Sequence, residues 1–216
     1  MSRVGVAEAV RAAVRTSDLD ERTWCPSVAM RLFGGVVDVA YCLDESEHAR
    51  RVAAGVGAVT QRGVLDALMG LPVGLPVAVH DLSERERHLL QRVPHGVVDY
   101  DGRNVVRRAV APLSVRFAMV TARSWREGLR KAGQFAPFCA RAMLLPATPS
   151  DVDDACAQAS FYGVGVCVFE SGRLRMLVDP QPYVRHQHSA AQWRFAEEVY
   201  RQVMASANGA GVVVAE

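Results

Sequence analysis

Residues 115–147, VRFAMVTARSWREGLRKAGQFAPFCARAMLLPA, decide the fold of this chain. Two apolar β-prone runs, at residues 115–122 and 140–147, enclose an Arg-rich amphipathic segment at residues 124–139. This pattern predicts a strand, a crossover helix and a second strand. A helix over 148–163 and a hairpin over 164–180, which turns at Ser171-Gly172, continue the pattern. The sequence therefore predicts a small mixed sheet with helices packed against it.

Length, composition and charge narrow the class of protein. With 216 residues, the chain can bury a sizeable core in one large domain or in two smaller ones. Half of the residues are hydrophobic, yet no apolar run reaches the roughly 18 residues that span a bilayer. Residues 1–16 carry charges throughout, unlike the apolar region of a signal peptide. We therefore expect a cytoplasmic protein without membrane contact. The net charge of +2 does not by itself indicate a nucleic-acid partner.

No pattern in the sequence predicts a metal or cofactor site. The five cysteines are widely spaced without a C-x-x-C pair, at Cys25, Cys42, Cys139, Cys156 and Cys167. We expect them to be free thiols in apolar surroundings. His186 and His188 form an H-x-H pair, but the neighbouring prolines favour a loop over a metal-binding strand. Isolated Gly-x-Gly pairs do not complete a phosphate-binding loop. The sequence thus predicts no catalytic residue, metal ligand or cofactor.

A second informative pattern begins after residue 76. A short helical segment leads to Ser83, and Glu86 follows three residues later, which is the spacing of a capping box. We therefore expect a helix over 83–93. Its apolar side is formed by Leu82, Leu89 and Leu90. The polar residues of the helix are then free to face outward.

Residues 95–112, HGVVDYDGRNVVRRAVAP, follow this helix directly and contain β-prone stretches on both sides of Asp101-Gly102. An Asp-Gly pair in such a setting is a strong signal for a β-hairpin, which we expect over 96–110. A further helix is predicted over 60–71. The chain therefore runs helix, short helical segment, helix and hairpin. This order resembles that of the winged helix-turn-helix DNA-binding fold.

A fold of this kind would present basic and polar side chains to DNA from its second helix and from its hairpin, the wing. The candidates are Arg85, Arg87, His88, Gln91 and Arg92 on the helix, and Arg103, Arg107 and Arg108 on the wing. Arginines beside the turn of a wing would meet the sugar-phosphate backbone. Glu84 and Glu86 would oppose phosphate on part of this surface. The pattern also fits a solvated surface or a protein contact.

The segment 113–180 resembles the core of the restriction-endonuclease-like, or PD-(D/E)XK, superfamily. The likeness is carried by SVRFAMVTARSWREGLRKAGQFAPFCARAMLLPA and by YGVGVCVFESGRLRMLV. In the subgroup that it resembles, a strand with an acid-x-lysine motif precedes a Trp-Arg helix that has a glutamine near its end. The resemblance implies a small mixed α/β sheet domain of nuclease type, with Trp125 marking the helix and Gln134 the glutamine.

The residues that would cut DNA are missing from the matching strand. Counting back from Trp125, Met119 occupies the position of the acid and Thr121 that of the lysine. Cys139 stands where a later acid is expected. Methionine and threonine can neither bind Mg²⁺ through a carboxylate nor stabilise an attacking water as the lysine does. The resemblance therefore implies a retained fold without cleavage activity, a pseudo-nuclease rather than an enzyme.

The predicted fold class is α+β, a winged helix-turn-helix plus a small mixed sheet domain of restriction-endonuclease-like type. Four consecutive segments are expected: a helix, hairpin and helix that pack on the rest (1–59), the winged helix-turn-helix (60–112), the nuclease-like core (113–182), and a C-terminal helix and tail (183–216). We expect a transcription regulator that binds double-stranded DNA as a homodimer. Apolar stripes at residues 4–16 and 190–205 are the candidate dimer surfaces, and both stripes also fit packing within one chain.

Two other functions stay open. A divergent metal-dependent nuclease would take its upstream acid from Asp38, Asp99 or Asp101, with a migrated acid such as Glu170. A protein-interaction or assembly module would use the same folded surfaces without binding DNA. Cleavage of plasmid DNA with Mg²⁺ or Mn²⁺ would favour the first alternative. Absence of DNA binding, with capture of a specific protein, would favour the second.

Overall fold

The structure is a computed structural model that describes residues 28–170, 173–184 and 188–210. The described part contains nine strands: β1 (Val28–Leu32), β2 (Gly35–Leu43), β3 (Pro76–Ala78), β4 (Val98–Tyr100), β5 (Asn104–Arg107), β6 (Leu113–Thr121), β7 (Ala140–Leu145), β8 (Gly165–Glu170) and β9 (Arg173–Val178). It also contains six α-helices: α1 (Glu45–Ala54), α2 (Arg62–Met69), α3 (Glu84–Leu90), α4 (Trp125–Gly133), α5 (Val152–Phe161) and α6 (Ala190–Ala210). The α+β class is therefore confirmed.

Residue contacts divide the chain into two compact units, each made of two separated stretches. The sheet unit consists of Met1–Cys42 and Val115–Arg185, and the helical unit of Leu43–Ser114 and His186–Glu216. This division differs from the four consecutive segments expected from the sequence. The difference arises because β1 and β2 join the sheet that contains β6 to β9, although about 70 residues separate β2 from β6 along the chain.

The sheet unit is built on one six-stranded mixed sheet with the order β1-β2-β6-β7-β8-β9. Strands β6, β7 and β8 are parallel and are joined by α4 and α5, as parallel neighbours require a crossover connection. The outer pairs β1–β2 and β8–β9 are antiparallel. The predicted order of strand, helix, strand, helix and hairpin is thus confirmed. The predicted turn at Ser171-Gly172 lies outside the described residues.

The crossover helix α4 is shorter than the sequence predicts. Ser124 begins it, since its side chain accepts a hydrogen bond from the backbone N–H of Glu127 at 3.4 Å. The helix ends at Gly133, and the chain then turns through Pro137 instead of continuing to residue 139. Glycine and proline both disfavour a helix interior, which explains the early end.

Both faces of the sheet are packed. One face carries an apolar cluster of buried side chains: Ala40, Phe117, Met119, Ala140, Ala142, Leu144 and Cys167. On the other face α4 comes close to β7, so that a Cβ added at Gly128 would overlap the Met143 side chain. Glycine at this position therefore permits the close approach of helix and strand.

The helical unit combines α1, α2, α3 and α6 with a three-stranded antiparallel sheet of order β3-β5-β4. Its core includes Leu65, Leu68, Leu90, Val105 and Trp193, all buried. The predicted helices over 60–71 and 83–93 are confirmed with shorter bounds, and the predicted hairpin over 96–110 is formed by β4 and β5.

One strand of this small sheet was not expected from the sequence. Residues 76–78 form β3, and only the three residues that follow, Val79–Asp81, adopt the expected short helical conformation, a 3₁₀ turn. Strand β3 pairs with β5, where Val77 faces Val105. A three-residue strand has almost no periodicity of its own, so it depends on a partner that lies some 30 residues away in the sequence.

The apolar stripe of the C-terminal helix is used within the chain. Ala190 and Trp193 belong to the core of the helical unit, and Val199 and Tyr200 are buried as well. The proposal that this helix offers a dimer surface is therefore corrected, because its apolar side is already covered. The other candidate surface, residues 4–16, lies outside the described residues. None of the helices in the described ranges is long and apolar enough to cross a membrane.

Candidate nucleic-acid interface

Helix α3 has a fixed start, set by the capping box that the sequence predicts. The Ser83 side chain accepts a hydrogen bond from the backbone N–H of Glu86 at 3.3 Å. In return, the Glu86 carboxylate accepts from the Ser83 backbone N–H at 2.9 Å and from its hydroxyl at 2.6 Å. These hydrogen bonds lower the pKa of Glu86. This acid is therefore held at the start of the helix instead of extending from it.

The apolar side of α3 packs into the helical unit, as expected. Leu82 and Leu90 are buried, and Leu89 lies partly buried against α2, where its Cδ1 would be 3.5 Å from a Cβ at Gly63. The polar residues are exposed to solvent: Arg85, Arg87, His88, Gln91 and Arg92. Because Arg85, His88 and Arg92 follow helical spacing, they share one side of the helix and of the turn that continues it.

The hairpin turn between β4 and β5 is held together by Asp101. Its carboxylate accepts hydrogen bonds from the Asn104 side chain at 3.0 Å and from the backbone N–H groups of Asn104 and Arg103 at 2.7 and 3.1 Å. These hydrogen bonds, the one from the Asn104 side chain foremost, lower the pKa of Asp101. The Arg103 side chain remains exposed at the tip. The position of Asp101 in the turn gives this acid a structural role.

Arg107 is not part of the exposed surface, which corrects the prediction that it contacts DNA. Its guanidinium donates hydrogen bonds to the carbonyl oxygens of Leu68 at 2.9 Å, Leu71 at 3.2 Å and Ala109 at 2.9 Å. It also lies 4.6 Å above the centre of the Trp193 ring. Burial lowers the pKa of Arg107. This side chain caps the end of α2 and stabilises the core.

Its neighbour Arg108, the residue directly after β5, stays at the surface. Arg108 forms an ion pair with Asp99 at 2.6 Å, in which the two side chains are 45% and 41% exposed. An exposed pair of this kind contributes little to stability and can be exchanged for a pair with phosphate. Tyr100, 43% exposed on the same hairpin, is an aromatic surface residue that sequence reasoning missed. The sequence feature that could have identified it is the position of this tyrosine directly before the Asp-Gly turn.

The residues that the sequence resemblance singled out lie in the sheet unit. Met119 is buried in the apolar cluster, and Thr121 is exposed at the end of β6. Gln134 is exposed directly after α4, and burial raises the pKa of the Cys139 thiol. Thr148 donates a hydrogen bond to the Glu170 carboxylate at 3.0 Å. Among the described residues, no three His, Cys, Asp or Glu side chains converge in a group that would hold a metal ion.

The cysteines and the H-x-H pair are the remaining candidates from the sequence. Cys139 and Cys167 are buried free thiols, whereas Cys42 and Cys156 are only half-buried. His186 and Cys25 lie outside the described residues. Ser189 stands directly before the C-terminal helix α6, and its side chain accepts a hydrogen bond from the backbone N–H of Gln192 at 3.2 Å.

The exposed residues of one predicted set thus lie on two elements, α3 and the β4–β5 hairpin, that contribute to the same core of the helical unit. Comparison with known proteins identifies no relative of this chain. No family model, no curated protein and no solved structure matches the chain.

Proposed function

We propose that this protein binds double-stranded DNA through α3 and the β4–β5 hairpin, as a transcription regulator of winged helix-turn-helix type. One observation carries the proposal: α3 and the hairpin both expose arginines to solvent, while the apolar sides of these two elements are buried in one core. Five exposed arginines contribute: Arg85, Arg87, Arg92, Arg103 and Arg108. Positive side chains on a helix and an adjacent hairpin are suited to contact a groove and its flanking phosphates.

The acidic residues of this surface limit the expected strength of binding. Glu86 is held in the capping box and Asp101 in the hairpin turn. Asp99 must release Arg108 before this arginine can contact phosphate. We therefore expect about three to five phosphate contacts per chain, with a slope of roughly −2.7 to −4.5 for the logarithm of the association constant against the logarithm of salt concentration.

Fluorescence anisotropy with labelled duplex DNA tests this function. The full chain is titrated into a pool of genomic fragments at several salt concentrations between 50 and 200 mM, a range in which phosphate contacts have a large effect on affinity. Replacement of both Arg85 and Arg92 by glutamate should abolish binding. Arg201→Glu serves as the matched control, because Arg201 is an exposed arginine elsewhere in the same unit. Failure of the unaltered protein to bind above background at low salt would overturn the proposal.

We further propose that the sheet unit is a nuclease-like fold without cleavage activity. The support is the placement of Met119 inside an apolar cluster, where the resemblance would put a metal-binding acid. Asp38 alternates along β2 with Ala40, a member of the same cluster, so it belongs to the same face of the sheet. Purified protein should leave plasmid DNA intact with Mg²⁺ or Mn²⁺. Cleavage that is lost in Asp38→Asn would instead establish a divergent nuclease.

A homodimer is the proposed form on DNA. One recognition helix with one wing buries too little surface for tight and specific binding, and two-fold symmetry doubles the contact. Light scattering at micromolar concentration, with and without a bound duplex, measures the assembly. A monomeric mass under both conditions would contradict the dimer and leave the proposed DNA contact intact.

A further inference from the structure

A pocket of about 180 Å³ opens in the sheet unit, between the β1–β2 turn and the C-terminal half of α4. Apolar side chains form much of its lining, namely Leu32, Val36, Val37, Val120 and Phe135. Three polar side chains complete it: Arg130, Lys131 and Gln134. We propose that this pocket binds a small organic carboxylate with an apolar or aromatic body. None of these residues belongs to the proposed DNA interface, so the two proposals are independent.

The β1–β2 turn is shaped in a way that builds one wall of the pocket. Phe33 and Gly34 both have positive φ, at 49° and 77°, and form a two-residue turn of type I′ between Leu32 and Gly35. A bulky residue rarely adopts positive φ, so the position of the Phe33 ring must be stabilised by its packing. The ring contacts Phe135 edge-on at 5.1 Å and stacks on Phe138 at 6.0 Å. This packing holds the turn against the end of α4.

Phe33 nevertheless remains 50% exposed as a residue. Because Phe33 lines the pocket, an apolar ligand would cover part of a surface that water now contacts. The buried Val120 and Phe135 continue that surface inward. A bare inorganic anion would gain nothing from these groups, whereas a phenyl or alkyl group would.

The charges at the pocket select the sign of the ligand. Lys131 is already paired, since its ammonium lies 2.7 Å from the Glu127 carboxylate. Within the described part of the chain, the side chains of Arg130 and Gln134 form no hydrogen bond or ion pair. The pocket therefore offers one uncommitted guanidinium and one uncommitted amide. A guanidinium fits a carboxylate with two parallel hydrogen bonds, and the amide of Gln134 can donate a further one.

The volume limits the size of the ligand. At about 180 Å³, the pocket is smaller than the roughly 300–1,000 Å³ of sites that enclose drug-sized molecules. A carboxylate of about ten non-hydrogen atoms, the size of benzoate or phenylacetate, is appropriate. For so small a ligand we expect a Kd on the order of 0.1–1 mM.

Ligand-observed NMR on the full chain tests this site with defined probes. Benzoate, phenylacetate and hexanoate are titrated at constant ionic strength, together with benzamide as the neutral counterpart of benzoate and with inorganic phosphate as the bare anion. We expect at least one carboxylate to bind, with benzamide and phosphate each at least about fivefold weaker, which corresponds to losing one charge-assisted contact. Equal affinity for benzoate and benzamide, equal affinity for phosphate, or no binding of any carboxylate would overturn the proposal.

Two variants assign the binding to this pocket. Arg130→Gln removes the uncommitted cation, and Gln134→Glu places a negative charge at the pocket without a change of size. Each should raise the Kd of the carboxylate at least about fivefold. Arg116→Gln, on an exposed position of β6 in the same unit, is the matched control and should leave the Kd unchanged. Unchanged affinity in both pocket variants, with thermal unfolding like that of the unaltered protein, would place the binding elsewhere and refute the assignment.

Discussion

Arg51 and Glu197 form a bidentate ion pair that is fully buried, with Nη1–Oε2 and Nη2–Oε1 distances of 2.8 and 2.7 Å. The pair joins α1 to α6 across 146 positions of sequence. Glu47 accepts a further hydrogen bond from Arg51 at 2.7 Å, and Glu197 also accepts from the Trp193 indole at 2.9 Å. The backbone N–H of Val59 donates to Glu197 as well, at 2.9 Å. Each buried charge of this network therefore has several partners.

Replacing one member of the pair should destabilise the protein strongly. Glu197→Gln leaves the Arg51 guanidinium buried with an incomplete set of charge partners, and we expect the free energy of unfolding to fall by about 3–5 kcal/mol. Chemical denaturation monitored by tryptophan fluorescence measures the change. Arg62→Gln is the control, because Arg62 and Asp66 are both more than half exposed and 3.9 Å apart, and a loss below about 0.5 kcal/mol is expected there.

A double variant separates the cost of an unpaired charge from the contribution of the pair itself. Arg51→Met combined with Glu197→Leu removes both charges at once. We expect this double variant to be more stable than the Glu197→Gln single variant, because no buried charge in the pair is then left without its partner. Strictly additive losses would show that the network does not act as a unit.

The N-cap of α1 should give the protein a measurable dependence on pH. The Asp44 carboxylate accepts from the Glu47 backbone N–H at 3.0 Å and from the Ser46 hydroxyl at 2.7 Å, and these hydrogen bonds lower the pKa of Asp44 below its ordinary 3.8. A lowered pKa in the folded state stabilises the protein above the pKa of the unfolded state. This contribution is lost as the pH falls through the folded-state pKa.

Asp44→Asn tests this dependence, since asparagine keeps the capping oxygen but does not titrate. The unfolding free energy of the unaltered protein should exceed that of Asp44→Asn at pH 7, and the difference should shrink between pH 4 and pH 2. Urea denaturation at each pH supplies the values. Asp44→Ala, which loses the acceptor, should be less stable by about 1 kcal/mol at pH 7. A constant difference across this pH range would refute the role of the Asp44 charge.

Neighbouring arginines of the hairpin should respond differently to truncation. Arg107→Ala removes the hydrogen bonds that the guanidinium donates to the carbonyl groups of Leu68 and Leu71, so we expect a loss of about 2 kcal/mol in unfolding free energy. Arg103→Ala should leave stability unchanged within about 0.5 kcal/mol. It should instead reduce the salt slope of DNA binding by about one. Denaturation and anisotropy on the same preparations distinguish the two roles, and a destabilised Arg103→Ala protein would contradict them.

Two glycines of α4 should respond in opposite directions to alanine. At Gly128, a Cβ would overlap the Met143 sulfur and lie 3.0 Å from the Met143 Cβ, so we expect a loss of about 1–3 kcal/mol from overpacking. At Gly133, nothing lies within 4 Å of the added Cβ. Alanine there should stabilise the helix by up to about 1 kcal/mol. Thermal unfolding of both variants gives the sign, and stabilisation by Gly128→Ala would show that α4 does not pack closely on β7.

Local sequence patterns predicted most of the elements and the outward-facing candidates on α3. The capping box of Ser83 and Glu86, the Asp101-Gly102 turn and the spacing of Leu82, Leu89 and Leu90 all act over a few residues. Their physical causes are hydrogen bonds and packing between near neighbours, which the order of residues specifies directly. Helix α3, the hairpin and the exposure of Arg85 and Arg92 could therefore be predicted from the sequence alone.

Other features depended on contacts between residues that are distant in the sequence. The pattern of residues 26–44 predicts a hairpin, but pairing with the rest of the sheet decides that β1 and β2 belong with β6. The ion pair of Arg51 and Glu197 has no local signature, since either residue alone is typical of a solvated helix. Arg107 and Arg108 look equivalent in the sequence. The pleat of β5 turns Arg107 inward, toward the carbonyls of α2 and the ring of Trp193, and Arg108, directly after this strand, stays at the surface. The sequence does not show this difference, because only the folded chain brings those acceptors to that side.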